Sequence, residues 1–322
     1  MQQNQILQIF PESLRQPWRY VAKQADQVQE IRLRARKPVV IRTSQGEWFL
    51  KQDGMLTKEQ GEVLCIEEKQ LDMILNHICQ YSIYAYGDEI RQGFLTIPGG
   101  HRIGFAGQVI LEQAEQVRNM KYIRYMNIRM AHEIKGVADA VLPLLYQEGR
   151  VLNTLIISPP GCGKTTMLRD IIRNFSNGTA YGAGRNVSVV DERSEIAGSY
   201  MGVAQNDVGI RTDVLDACPK GVGMMMLIRS MAPEVLAIDE VGNQEEIRLL
   251  TMASGCGSKV VATVHGTSME EVARKGYMKK VFEERLFDRY LVLTKKDGIC
   301  QIDGIYNREG AVCGRYWEWH AL

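Results

Sequence analysis

Two hydrophobic rhythms run along this chain. In the first 135 residues the apolar positions come in short alternations broken by turns. Ile31, Leu33 and Ala35 alternate with Arg32, Arg34 and Arg36, which predicts a strand with an arginine face. Gly46 marks a turn, and residues 47–51 predict a paired strand. Leu71, Ile74, Leu75 and Ile78 recur at helical spacing and predict a helix within 66–81. A strand over 93–97, a Pro98-Gly99-Gly100 turn and a strand over 101–111 follow. This order predicts a small α+β domain over residues 1–135.

Beyond residue 135 the rhythm changes. Ala138, Val141, Leu142 and Leu145 predict a helix over 135–149, kinked or shortened by Pro143 and closed by Gly149. Near-continuous apolar runs then appear at 152–157, 187–190, 235–238, 260–264 and 290–293, separated by helical patterns. Such runs predict a mainly parallel sheet covered on both faces, an α/β domain over 136–322. Asp297-Gly298, between two strand-like runs, predicts a terminal hairpin.

Composition narrows the classes. The 322 residues suit two domains, and 45% hydrophobic content is enough for real cores. Lys plus Arg is 39 against 38 for Asp plus Glu, a net charge of +1, which argues against a protein that coats polyanions. The longest stretch without a charge, residues 73–87, is too short and too polar to span a bilayer. The opening residues lack a basic segment and a long apolar core, so no secretory signal is expected. Seven cysteines, an odd number with no CxxC pair, disfavour a disulfide framework or a zinc knuckle and suit a reducing cytoplasm.

Candidate chemistry begins where the 152–157 strand runs into Ser158-Pro159-Pro160-Gly161-Cys162-Gly163-Lys164-Thr165-Thr166. Met167, Leu168, Ile171, Ile172 and Phe175 then take up helical spacing. Strand, glycine loop and helix are the context a Walker A motif requires. Gly161 and Gly163 let backbone amides close round phosphate oxygens, and the helix N-terminus adds its dipole. Lys164 would reach the β- and γ-phosphates of ATP, and the Thr165 hydroxyl would ligate Mg2+. Ser158 replaces the first glycine of the pattern, and Pro159-Pro160 stiffens the turn.

Val235-Leu236-Ala237-Ile238-Asp239-Glu240 has the form of a Walker B strand. Asp239 would hold magnesium through water, and Glu240 would orient and deprotonate the attacking water. Its place 75 residues after the phosphate loop fits the RecA and AAA branch of P-loop ATPases. The 187–190 strand ends in Asp191-Glu192, carboxylates expected beside the phosphates, with Glu192 a rival base. The 260–264 strand ends in His265, a polar group able to sense the γ-phosphate.

Taken together, these residues resemble the secretion ATPase superfamily of type II secretion and type IV pili. Asp191-Glu192 is similar to its acidic "Asp box". Arg229-Ser230 through Pro233-Glu234 to Glu240-Val241-Gly242-Asn243 resembles its arginine-rich segment and Walker B glutamate, and Gly257 through His265 resembles its "His box". His101-Arg102-Ile103 and Asn127-Ile128-Arg129 resemble the N-domain strands whose arginines face the nucleotide. The runs Gly209–Asp216 and Cys218-Pro219-Lys220-Gly221 resemble a branch found in endospore-forming bacteria. Asp239 departs from the glycine typical of secretion ATPases, which implies a more RecA-like magnesium site.

The resemblance covers essentially the whole chain. It implies a RecA-like ATPase domain behind a smaller α+β domain. It further implies a cytoplasmic ATPase, a homo-oligomer in a hexameric ring. That ring would dock on an integral membrane partner and energise the channel between mother cell and forespore. Arg102 and Arg129 would join Glu240, Glu192 and His265 as catalytic groups. Two other readings stay open. A nucleic-acid-dependent P-loop ATPase would use the arginine face of the 31–36 strand, although no clear aromatic stacking platform accompanies it. A nucleotide-binding scaffold without turnover is opposed by intact Lys164 and Glu240.

Overall fold

Alternating side chains build the N-terminal part around one antiparallel sheet. Its strands are β1 (Val28–Arg34), β2 (Val40–Thr43), β3 (Gly46–Leu50), β4 (Leu56–Thr57), β5 (Phe94–Ile97), β6 (His101–Leu111) and β7 (Val117–Arg129). They lie in the order β4-β3-β2-β1-β7-β6-β5. Among the described residues its α-helices are α1 (Gln2–Ile9), α2 (Arg19–Lys23), α3 (Glu68–Ile78) and α4 (Gly87–Gln92). Ile31, Leu33, Ile41, Ile103 and Ile128 are buried and share a core with Leu71 and Ile74 of α3 and with Phe10 stacked on Trp18. The intervening positions of β1, Glu30, Arg32 and Arg34, are the charged ones, as a period of two requires. Helix α3 starts at a capping box in which Glu67 and Gln70 satisfy each other's backbone amides.

This computed structural model describes residues 2–112, 117–296 and 299–318, and the chain divides into two units, Met1–His132 and Glu133–Leu322. The second unit holds β8 (Tyr146–Gln147), β9 (Arg150–Val151), β10 (Thr154–Ser158), β11 (Val187–Asp191), β12 (Thr212–Asp216), β13 (Val235–Ile238), β14 (Lys259–His265), β15 (Arg289–Lys296), β16 (Ile299–Asn307) and β17 (Val312–Glu318). Its helices are α5 (Lys164–Asn177), α6 (Lys220–Ser230), α7 (Gln244–Gly255), α8 (Met269–Ala273) and α9 (Lys279–Glu283).

The large sheet runs β12-β11-β13-β14-β10-β15-β16-β17. From β12 to β15 every neighbour is parallel, and β16 and β17 add antiparallel at one edge. Alternate residues of the buried strands feed two cores. Ile156, Val189, Ala237 and Val261 pack with Met167, Leu168, Ile171 and Phe175 of α5. Leu155, Ile157, Leu236 and Ala262 pack with residues of α6 and α7 on the opposite face. Burial on both faces explains why these strands read as unbroken apolar runs. The architecture is α/β, a RecA-like domain with a mainly parallel sheet that follows a smaller α+β domain in the sequence.

One expectation fails. Residues 135–149 form no α-helix: turns lead into a 3-10 helix at Leu142–Leu145, then the short hairpin of β8 and β9. Ala138, Val141, Leu142 and Leu145 are buried as the spacing suggests. Pro143 lacks the N–H that an α-helix would need there, and the chain takes a tighter turn. Gly149, at φ +75°, closes the hairpin turn and does not cap a helix. The expected turn at Asp297-Gly298 lies outside the described residues; the strands on either side of it, β15 and β16, pair antiparallel. Among the described residues no helix is long and apolar enough to cross a membrane.

Candidate nucleotide site

The carboxyl ends of β10, β11, β13 and β14 converge because these strands are parallel neighbours. Ser158, the last residue of β10, stands in register with His265, the last of β14. The loop leaving β10 turns at Gly161 (φ +69°) and Gly163 (φ +73°), both left-handed positions that glycine takes without strain. Gly163 is the residue from which α5 begins, so Lys164 and Thr165 occupy the first helical turn. Ser158 is fully buried, and its hydroxyl donates to the Pro159 carbonyl at 2.9 Å. Cys162 is also buried.

Two side-chain pairs tie this loop to the end of β13. The Lys164 ammonium donates to Glu240 Oε1 at 2.7 Å. The Thr165 hydroxyl donates to Asp239 Oδ2 at 2.7 Å. Thr263 of β14 binds both acids, its hydroxyl donating to Asp239 Oδ1 and accepting the Glu240 N–H. Glu240 itself sits at φ +54°, a left-handed conformation with a real steric cost for a side chain of this size. His265 Nε2 lies 2.9 Å from Glu240 Oε1, and Arg193 lies 3.4 Å from Oε2. Burial pushes the Glu240 carboxyl up; Lys164, His265 and Arg193 outweigh it and hold the group below its usual range. His265 Nδ1 is buried and makes no hydrogen bond.

Lys164 is 7% exposed, its charge balanced by Glu240. Asp191 lines one small cavity with Asp239 and Glu240, and its two oxygens accept the N–H groups of Glu195, Ile196 and Ala197. Burial raises its pKa although those amides pull the other way, and its work is to fold the turn that carries Arg193 and Glu195. Glu192 points otherwise, with Oε2 3.6 Å from the Lys220 ammonium. Glu192, Arg193, Lys220, Asp239 and Glu240 line a cavity of about 20 Å³.

The C-terminal unit therefore brings together Lys164, Thr165, Asp239, Glu240 and His265, with Glu192 across the small cavity. Arg102 and Arg129 belong to the N-terminal unit, where they face each other on β6 and β7. Arg102 stacks its guanidinium over Phe94 at 3.6 Å, and Arg129 stands opposite Glu30 of β1. Three members of the polar cluster carried no assigned role from sequence: Thr263, Arg193 and Lys220. Thr263 lies inside the segment that resembles a "His box", so its position was visible although its partners were not. Lys220 lies in the Cys218–Gly221 run that resembles a sporulation branch, but only the turn after β13 shows its partners.

Thr165 and Asp239 fit a hard divalent cation. A hydroxyl and a carboxylate oxygen meet at hydrogen-bond distance, the donor chemistry magnesium prefers. The glycine loop, opening into a helix N-terminus, fits a chain of phosphates.

A glycine loop at the carboxyl end of a parallel sheet, with a Lys–Glu and a Thr–Asp pair, defines the P-loop class. The structure accordingly matches solved secretion and pilus ATPases. It aligns with the ATPase DotB of Legionella pneumophila at TM-score 0.57 and 14% identity, covering 90% of this chain and 79% of that one. It aligns with the pilus retraction motor PilT with bound ADP at TM-score 0.52 and 14% identity, covering 85% and 78%. At such identities the likeness is one of fold. Within this class the chain belongs to the family of sporulation stage III, protein AA, whose model matches residues 1–313. Stage III sporulation protein AA of Bacillus subtilis (strain 168) is 39% identical over 313 residues, 97% of each chain.

Proposed function

We propose that this protein is a Mg2+-dependent ATPase motor that energises a secretion-like channel between mother cell and forespore during sporulation. The observation that carries the reading is the paired convergence of Lys164 on Glu240 and Thr165 on Asp239 around a glycine loop. Glu240 neutralises the buried Lys164 ammonium. Phosphate oxygens replace Glu240 as the partner of Lys164, and the freed carboxylate then accepts a proton from water. The small cavity between Glu192 and Glu240, about 20 Å³, has room for roughly one water. Thr165 and Asp239 would hold magnesium, which would neutralise charge on the phosphates.

His265, within hydrogen-bond reach of Glu240, reports the departure of that carboxylate from Lys164. Arg102 and Arg129 supply further positive charge to the transferring phosphoryl group across a domain or subunit boundary. The motor works as a homo-oligomer, a hexameric ring, in the cytoplasm. It is peripheral at the membrane through an integral membrane protein of the sporulation channel. Membership of a sporulation family and likeness of fold to DotB and PilT support the motor reading.

Substitution of Lys164 tests it. Lys164→Ala leaves Glu240 paired with His265 and Arg193, so the domain folds. The variant is expected to lose ATP binding and to block sporulation. Normal ATP binding by the folded variant would show that the loop is not the nucleotide cradle.

A further inference from the structure

Lys220 opens helix α6, directly after Pro219. A helix N-terminus carries partial positive charge, so a lysine in its first turn is placed against the local electrostatics. Its side chain does not escape to water: it is only 11% exposed. The ammonium donates to the carbonyl of Glu240 at 2.5 Å and to that of Asp239 at 3.3 Å. Two carboxylates complete its surroundings, Glu192 and Glu246, each 3.6 Å away. A residue that breaks a local rule and is then compensated this fully points to a tertiary role.

What it grips identifies the role. Glu240 has a left-handed backbone, and such a conformation persists only where its neighbours over-determine it. Its N–H is fixed by the Thr263 hydroxyl, and its carbonyl is fixed by Lys220. The direction of the Glu240 carboxylate depends on that peptide orientation. The same ammonium reaches Glu192, the carboxylate on the other side of the small cavity. Resting on the ATPase reading above, we propose that Lys220 is a positioning residue for hydrolysis. It clamps the Asp239-Glu240 turn and ties it to Glu192, so that the two carboxylates face one water. Among the described residues its hydrogen bonds and ion pairs go to Asp239, Glu240, Glu192 and Glu246, and none goes to the phosphate loop.

The test measures ATP affinity and steady-state turnover in wild type, Lys220→Met, Lys220→Gln and Lys220→Arg, each in the full chain. A misplaced catalytic group costs about 10²-fold, and that is the expected loss of kcat for the Met and Gln variants. Their ATP affinity should stay within about threefold of wild type, because removing a positioning contact leaves ground-state binding intact. Lys220→Arg, which keeps charge and donors, should recover part of the lost turnover. Turnover within about twofold of wild type in a Met or Gln variant that binds ATP overturns the proposal, as does a parallel loss of affinity and kcat. If neither variant folds, Lys220 maintains the fold and the proposal falls. Absence of ATP hydrolysis in wild type, by contrast, would remove the ATPase reading itself.

Discussion

The two ends of the parallel strands in the C-terminal unit differ in a way that volume alone would misjudge. At the amino ends lies a cavity of about 520 Å³ bordered by Arg150, Arg185, Glu234 and Lys259. At the carboxyl ends the cavity is about 20 Å³. Yet the polar groups of the amino end largely serve one another. Glu234 accepts the Asn186 N–H at 2.9 Å and pairs with Arg185 at 3.0 Å. Buried Asn153 saturates itself on Leu286, Val260 and Asp288. The carboxyl end instead gathers a buried ammonium, a strained glutamate and a histidine nitrogen with no hydrogen bond. On the reading proposed above, convergent charge and stored strain, more than empty space, mark the nucleotide end of the sheet. Open α/β sheets place their ligands at this same end.

The sharpest way to break that contrast is to neutralise the two carboxylates separately. Glu240→Gln should bind ATP at least as tightly as wild type, since Lys164 loses its internal competitor. It should hydrolyse ATP about 10²–10⁴-fold more slowly. Glu192→Gln should fall by less in the same single-turnover assay. A silent Glu240→Gln beside an inactive Glu192→Gln would exchange their roles.

The amino end should answer in stability and not in turnover. Asn153→Ala leaves the buried Val260 N–H and Leu286 carbonyl without partners, which costs about 3 kcal/mol. Denaturant unfolding measures that loss. Turnover per folded molecule should stay within about twofold of wild type. A variant of normal stability and poor turnover would place catalytic work at the amino end.

The contrast also explains what could be read from sequence. Strands β10, β11, β13, β14 and β15 announced themselves because both their faces are buried, which leaves no polar interruption. Lys164, Thr165, Asp239 and Glu240 sit next to such strands in sequence, so their spacing displayed them. The segment 135–149 misled because burial of Ala138, Val141, Leu142 and Leu145 has the same spacing whether the backbone is α-helical or a succession of turns. Pro143 decided between them. Asp191 was visible as a carboxylate at a strand end, but its bonds to the amides of 195–197 were not, because they depend on how the following turn folds. Lys220 was visible within the Cys218–Gly221 run, but its role was not, since its partners lie 19 and more residues away in sequence.

Amide hydrogen exchange with and without ATP and Mg2+ tests most directly which end of the sheet holds the nucleotide. Bound phosphates should slow exchange at residues 161–166, where amides close round them, and at 239–241, where the turn is fixed. Residues 256–259, beside the large cavity, should be unchanged. Protection confined to 256–259, or no protection at either end, would contradict the account.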